Sequence, residues 1–273
     1  FIQMKILLNN SDLNEALYDV SNLGFVPTMG SLHKGHISLI KKSLKECKKT
    51  IVSIFVNPTQ FNNNYDYKRY PRNNKKDLSI LKGLNVNFLY LPKKKDVYFY
   101  KKTPPIKINK NNHILCAKYR RGHFEGVLDV MERLTKIIKP QKIYMGEKDF
   151  QQLYLVKKYI ENKYKTKIIP CRTIRDKNKL ALSSRNLLLN KTELLKARNI
   201  AQNLLSFKKR LNNKKNLKKF LINKKKELIK LYKIKIDYLE LRKISNLKSS
   251  GKIKNSKLFF AYHINNIRLI DNY

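Results

Sequence analysis

Five short runs rich in β-branched and aromatic residues, at 24–28, 51–57, 86–91, 142–145 and 167–173, are separated by stretches of helix length. Bounded by Pro, Gly or Asn, each reads as a buried strand. Between the first two, Ile37, Ile40, Leu44 and Cys47 recur at spacings of three and four. That spacing lines them along one face of an amphipathic helix over residues 35–48. Residues 124–138 and 150–160 have the same character. Strands alternating with helices predict an α/β, Rossmann-like parallel sheet with helices on both faces. In such sheets ligands bind outside the carboxyl ends of the strands, so the strand-to-helix turns are where chemistry is sought.

Beyond residue 187 the texture changes to Lys/Leu/Asn-rich helical stretches, 192–211 and 217–232, followed by strand-like segments at 234–241 and 257–263. Asn190-Lys-Thr-Glu193 reads as a helix start and a junction. The expectation is two domains, 1–186 and a smaller C-terminal α+β domain over 187–273. A chain of 273 residues can bury a core in each.

The formal charge of +42, from 61 Lys+Arg against 19 Asp+Glu, raises a nucleic-acid partner first, because neutralising phosphates rewards basic surfaces. The lysines are spread along the chain together with Asn, Ile and Tyr, all residues of AT-rich codons, so compositional drift accounts for them. Zinc-finger spacing, an aromatic–basic RNA signature and a basic zipper are all missing, and no specific nucleic acid is expected. Cys47, Cys116 and Cys171 are odd in number and carry no Cys-x-x-Cys pattern, which suits a reducing cytoplasm. No apolar run nears the roughly 20 residues of a membrane span, and the first ten residues lack a signal-peptide pattern, so a cytoplasmic chain with no membrane partner is expected.

Three strand-to-helix turns concentrate reactive side chains. The first is Gly24-Phe-Val-Pro-Thr-Met-Gly-Ser-Leu-His-Lys-Gly-His36, which leaves His33 and His36 about Gly35 at a helix mouth. Free N–H groups, the positive helix end and two imidazoles suit a phosphate. The same histidines read equally as helix caps, and no third residue nearby completes a metal site. The second, Tyr144-Met-Gly-Glu-Lys-Asp-Phe-Gln-Gln152, puts Lys148 where a strand gives way to a helix. The third, ending in Leu182-Ser-Ser-Arg185, gathers two hydroxyls and a guanidinium able to clamp a pyrophosphate, or to form a capped surface turn.

Together these clusters resemble the nucleotidylyltransferase and class I aminoacyl-tRNA synthetase superfamily, whose shared chemistry is attack on the α-phosphate of ATP. Within it the chain resembles the pantothenate synthetase family. That likeness rests on Val26-Pro-Thr-Met-Gly-Ser-Leu-His-Lys-Gly-His36, Val52-Ser-Ile-Phe-Val-Asn-Pro-Thr-Gln-Phe61, Tyr70-Pro-Arg72, Gly122-His-Phe124, Gly146-Glu-Lys-Asp-Phe-Gln-Gln152, Leu182-Ser-Ser-Arg-Asn186 and the closing Arg268-Leu-Ile-Asp-Asn272. A tRNA synthetase would carry a Lys-Met-Ser-Lys-Ser-like loop and an anticodon-binding domain, where this chain has Leu-Ser-Ser-Arg and a short second domain.

The resemblance implies a ligase of pantoate and β-alanine that proceeds through a pantoyl-adenylate, with ATP and Mg2+. It places ATP along Met29, Gly30, Ser31, Leu32, His33, Lys34, Gly35 and His36. Further ATP contacts fall at Gly146, Glu147, Lys148 and Asp149, at Ile174, and at Leu182, Ser183, Ser184 and Arg185. His36 takes the position of the catalytic proton donor, and His33, Lys148 and Arg185 the charge-stabilising ones. Gln60 and Gln152 match pantoate-binding positions, Gln60 also the β-alanine site, and Asp77 an acidic position that would meet the metal through water. A homodimer through the N-terminal domain and a lid role for the C-terminal domain are implied as well. Two departures stand out: Lys76 and Glu125, where relatives often have an acid and an Arg, with Arg120 and Arg121 as candidate compensators for the second.

Overall fold

The computed structural model describes residues 3–62, 64–100, 105–211 and 216–273. In chain order come β1 (Lys5–Leu7), α1 (Asn10–Leu17), β2 (Leu23–Thr28), α2 (Lys34–Glu46), β3 (Lys49–Ile54), α3 (Asn64–Arg69), α4 (Asn74–Gly83), β4 (Phe88–Tyr90), α5 (Lys94–Val97), α6 (Cys116–Tyr119), α7 (His123–Ile138), β5 (Lys142–Gly146), α8 (Phe150–Glu161) and β6 (Lys167–Cys171). The six strands form one sheet in the order β1-β4-β3-β2-β5-β6, and every pairing is parallel. From β2 the chain runs outward through β3 and β4, then returns to lay β5 on β2's other side. The ends of β2 and β5 therefore flank a topological switch point, where helices leave in opposite directions and a crevice opens.

The strand sequences explain why both faces are covered. Phe25, Ile51, Tyr90 and Ile143 face a core shared with α7 and α8, while their neighbours Val26, Val52, Leu89 and Tyr144 face a second core with α2 and α4. Side chains alternate across a strand, so continuous apolar runs need an apolar partner on each side.

The C-terminal layer consists of α9 (Lys191–Arg210), α10 (Leu217–Tyr232), β7 (Lys235–Lys243), β8 (Ser256–Ile264) and β9 (Ile267–Asn272), the strands pairing antiparallel in that order. The expected junction is an N-cap: Asn190 and Glu193 exchange side-chain-to-backbone bonds of 2.9 and 2.8 Å. Leu258, Phe260 and Tyr262 pack with α9 and α10, whereas Tyr238, Phe259 and Ala261 enter the core of the parallel sheet. The small sheet thus has one face in each core. Among the described residues, no helix is long and apolar enough to cross a membrane.

Three expected strands are shorter than their runs, and of 86–91 only Phe88–Tyr90 is strand. The run 51–57 stops at Ile54, and Asn57 instead caps a 3-10 turn at Pro58–Gln60; the run 167–173 stops at Cys171. The sequence pattern passes over β1, α1, α4 and β9. β1 has three residues, and α4 carries an acid, Asp77, where its buried face calls for an apolar residue.

Phe259, 4% exposed, should join the two layers energetically. Phe259→Ala is expected to lower stability by about 3–5 kcal/mol and to shift a single urea transition of the whole chain. An early transition of α9 and α10 alone, with the parallel sheet's midpoint unmoved, would contradict the shared core.

Candidate active site

Chain direction reverses just past β2, and the loop that achieves this sets the site. Gly30 and Ser31 both take left-handed conformations, with φ of 79° and 53°. Thr28 Oγ1 donates to the Ser53 carbonyl (2.8 Å) and accepts from Gly30 N–H (3.1 Å). Beneath the loop, the fully buried Asp77 accepts from Ser31 N–H and Leu32 N–H, one on each carboxylate oxygen, both at 2.7 Å. A side chain on Gly30 would meet Ile54 Cγ2 at 3.0 Å and Asp77 Oδ2 at 3.1 Å, in a φ that L residues disfavour. Each Asp77 oxygen thus accepts one bond from the loop, a bracing role that its sequence position did not suggest. Lys76 beside it is exposed, and its N–H donates to the capping side chain of Asn73.

The loop delivers the two histidines to the start of α2. Gly35 N–H donates to His33 Nδ1 (3.1 Å), and His33 N–H donates to His36 Nδ1 (3.3 Å), a reciprocal cap built from imidazoles. An Nδ1 that accepts carries no proton, so each ring holds its proton on Nε2. The two rings lie 4.1 Å apart. Burial, then His33 and Lys148, press His36 down to about 3. Burial and Lys148 press His33 to about 4, against a smaller opposing pull from Asp149. At neutral pH both are uncharged Nε2–H donors, and the capping and phosphate-binding readings of the motif hold together.

The other walls come from the two remaining clusters and from the end of β3. Lys148 rides a 3-10 turn, Glu147–Asp149, directly after β5 and pairs with Asp149 at 3.7 Å. Ser184 Oγ donates to the Ser31 carbonyl at 3.2 Å, tying the Ser/Arg loop to the β2 loop. Arg185 pairs with Asp66 of α3 at 2.9 Å and lies 5.8 Å from the Tyr70 ring. Asn57 Nδ2 donates to Gln60 Oε1 at 3.2 Å, and the Gln60 carbonyl accepts from His123 Nδ1 at 2.7 Å. His123 Nε2 in turn accepts from Arg120 at 2.9 Å. Burial, then Arg120, holds His123 well below its ordinary value, so it too is neutral, with the opposite tautomer.

These groups line a cavity of about 240 Å3 that shares Arg120, Lys148, Asp149, Ser183 and Arg185 with a larger cleft of about 680 Å3 bordered by β9. Cationic and neutral donors together with amide side chains suit a polyanion beside a small polar molecule.

A family model described as Pantoate-beta-alanine ligase matches residues 5–273. The chain belongs to that family. Pantothenate synthetase of Flavobacterium psychrophilum is 41% identical over 268 residues, covering 95% of this chain and 94% of its own. That of Helicobacter pylori is 40% identical, with 92% of each chain covered. The crystal structure of pantothenate synthetase from Thermus thermophilus superposes with a TM-score of 0.92 at 30% identity, covering 99% of both chains. The pantoate-beta-alanine ligase of Francisella tularensis, solved in complex with beta-gamma ATP and beta-alanine, gives 0.84 at 38% identity, covering 99% of this chain and 97% of that one.

Of the residues the motifs pointed to in this ligase-family chain, Met29, His33, Gly35, His36, Gln60, Gly146, Lys148, Asp149, Gln152, Ile174, Leu182, Ser183, Ser184 and Arg185 line the cavity. Five do not. Gly30 is bonded to Thr28, Ser31 to Asp77 and Ser184, and Leu32 to Asp77; Lys34 is exposed; and Glu147 turns toward Lys257 at 3.4 Å. Tyr70, Arg120 and His123 line the cavity without being marked as binding groups by the sequence, although they fall within or beside motif stretches. Glu125 stays off the cavity in the first turn of α7, where an acid favours the helix dipole. Arg120, rather than exposed Arg121, supplies the positive charge on that wall.

Two outcomes check this geometry. Imidazole 15N NMR at pH 7 should find the Nε2–H tautomer at His33 and His36 and Nδ1–H at His123. Because the first two are depressed below 6.5, the unfolded chain takes up their protons first. Their stabilising effect is full above pH 6.5 and is lost as pH falls toward 4 and 3. Separately, Asp77→Ala should cost about 1–3 kcal/mol for each of the two N–H groups left without an acceptor. Urea midpoints would register that loss, and an unchanged midpoint would contradict the grip.

Proposed function

We propose that this cavity joins pantoate to β-alanine at the expense of ATP, giving pantothenate, AMP and pyrophosphate. The observation that carries the reading is the neutral His33–His36 pair at the mouth of α2, in one cavity with Lys148, Arg185 and the amides of Gln60 and Gln152. The Francisella relative, complexed with beta-gamma ATP and beta-alanine, supports it.

In the first step a carboxylate oxygen of pantoate forms a bond to the α-phosphorus, and the bond from that phosphorus to pyrophosphate breaks. The carboxylate is already a nucleophile at neutral pH, so the residues supply alignment and charge stabilisation. Gln60 and Gln152 hold pantoate by hydrogen bonds. His33 and His36 direct Nε2–H at the phosphates. Arg185 leaves Asp66, and Lys148 leaves Asp149, to meet the charge on the departing pyrophosphate. His36 therefore acts as a hydrogen-bond donor while uncharged. In the second step the neutral amine of β-alanine, held near Gln60, attacks the acyl carbon. The carbon–oxygen bond breaks, AMP departs, and the amine loses a proton.

Mg2+ accompanies ATP in this reading, but the residues do not form a cage for it. Asp77 turns both carboxylate oxygens to the loop, and among the described residues no group of three His, Cys, Asp or Glu is placed to hold a metal. The ion would be carried by phosphate oxygens and water. The larger cleft bordered by β9 gives the C-terminal domain, 187–273, its part as the wall that excludes water from the adenylate. A homodimer of cytoplasmic chains completes the proposal.

AMP release, followed with one substrate withheld at a time, tests it. Release should require ATP, pantoate and β-alanine together, and His36→Ala or Arg185→Ala should reduce kcat about 10²- to 10³-fold. Release independent of pantoate would reject the reading.

A further inference from the structure

The last two residues of β9, Asp271 and Asn272, are 7% and 3% exposed, deeply buried for polar side chains so near the end of a chain. Each holds a different wall of the cavity. The Asp271 carboxylate makes a two-pronged pair with Arg175, at 2.7 and 2.8 Å, and Arg175 also donates to the Asn272 carbonyl at 2.9 Å. Arg175 opens the hairpin that bridges back at Ala181 and runs on into Ser183, Ser184 and Arg185. Asn272 faces the other way, as successive strand residues do. Its Nδ2 donates to the carbonyls of Glu147 (2.8 Å) and Lys148 (2.9 Å), while its Oδ1 accepts from Lys257 Nζ at 3.1 Å.

Every polar atom of that amide is engaged, and only one orientation satisfies all three contacts, because a flipped amide would set its oxygen against two carbonyl oxygens. The two carbonyls belong to the 3-10 turn that carries Lys148, a turn with no side-chain N-cap of its own. Lys257 reaches Glu147 as well, closing a ring of contacts around the turn.

We infer that Asn272 is a positioning residue for the adenylation step. It fixes the Lys148 turn, and with Asp271 on Arg175 it sets the spacing between the two cationic walls that receive the phosphates. The inference rests on the proposed role of Lys148, and misplacing a charge by about 1 Å is enough to cost about 10²-fold in rate.

The test is a double-mutant cycle on the full chain, read as single-turnover pyrophosphate formation from ATP, Mg2+ and pantoate, with β-alanine attack on preformed adenylate measured in parallel. Asn272→Leu, similar in shape but without donors, should slow adenylation about tenfold to a hundredfold and leave the β-alanine step within about threefold. In a Lys148→Ala background the same change should cost adenylation no more than about threefold, because it acts through a group already removed. Equal losses in both backgrounds, or equal losses in both half-reactions, would reduce Asn272 to a structural contact and overturn the inference. If Lys148→Ala itself leaves adenylation intact, the role of Lys148 fails and this inference falls with it. Should Asn272→Leu not fold, Asn272→Ser, which keeps one donor, enters the same cycle under the same criteria.

Discussion

The site depends on one buried carboxylate. Asp77 holds Ser31 and Leu32 by their N–H groups and so stabilises two consecutive left-handed residues, Gly30 and Ser31, that turn the chain from β2 into α2. Without that turn the histidine cap could not form where it does, at the switch point beside β5. An ionised group with no exposure is costly unless hydrogen-bonded, and two short bonds from backbone donors meet that requirement. That acid braces the loop between β2 and α2. Ser184, on the carbonyl of Ser31, then ties the third cluster to the same brace.

Burial, then neighbouring charge, sets the protonation of the site. The chain carries a formal charge of +42 on 273 residues, and Lys148 stands close enough to both histidines to oppose their protonation, adding to the larger effect of burial. The imidazoles therefore remain neutral donors, and the full charges are on Lys148 and Arg185. Before a polyanion arrives, Asp149 and Asp66 partner these cations. In the proposed reaction these cations exchange carboxylate partners for phosphates, which limits the cost of desolvating them. Basic composition therefore bears on affinity for anionic substrates without requiring a nucleic-acid partner.

Much of this was legible in the sequence because strong local patterns coincide with global needs. Continuous apolar runs at 24–28 and 142–145 become β2 and β5, the neighbouring strands at the switch point, and the turns that follow them carry His33, His36 and Lys148. What escaped was encoded in distant pairings. α4 reads as a weak helix because its buried position is an acid, and that acid makes sense only against Ser31 and Leu32, some 45 residues earlier. β9 looked like a terminal motif, yet its polar residues are explained by Arg175 and by the Lys148 turn. Lys34 and Glu147 sit inside matching motifs but point elsewhere, because a contiguous motif does not say which of its side chains face the cavity.

The central claim is that pantoate attacks the α-phosphorus of ATP in this cavity. Pantoate labelled with 18O in its carboxylate, turned over with ATP and β-alanine, tests it by mass spectrometry of the products. The account predicts one labelled oxygen transferred to AMP, since the oxygen that attacks phosphorus stays there when the acyl–oxygen bond breaks. Label in inorganic phosphate or pyrophosphate, or AMP formed without label, would contradict it.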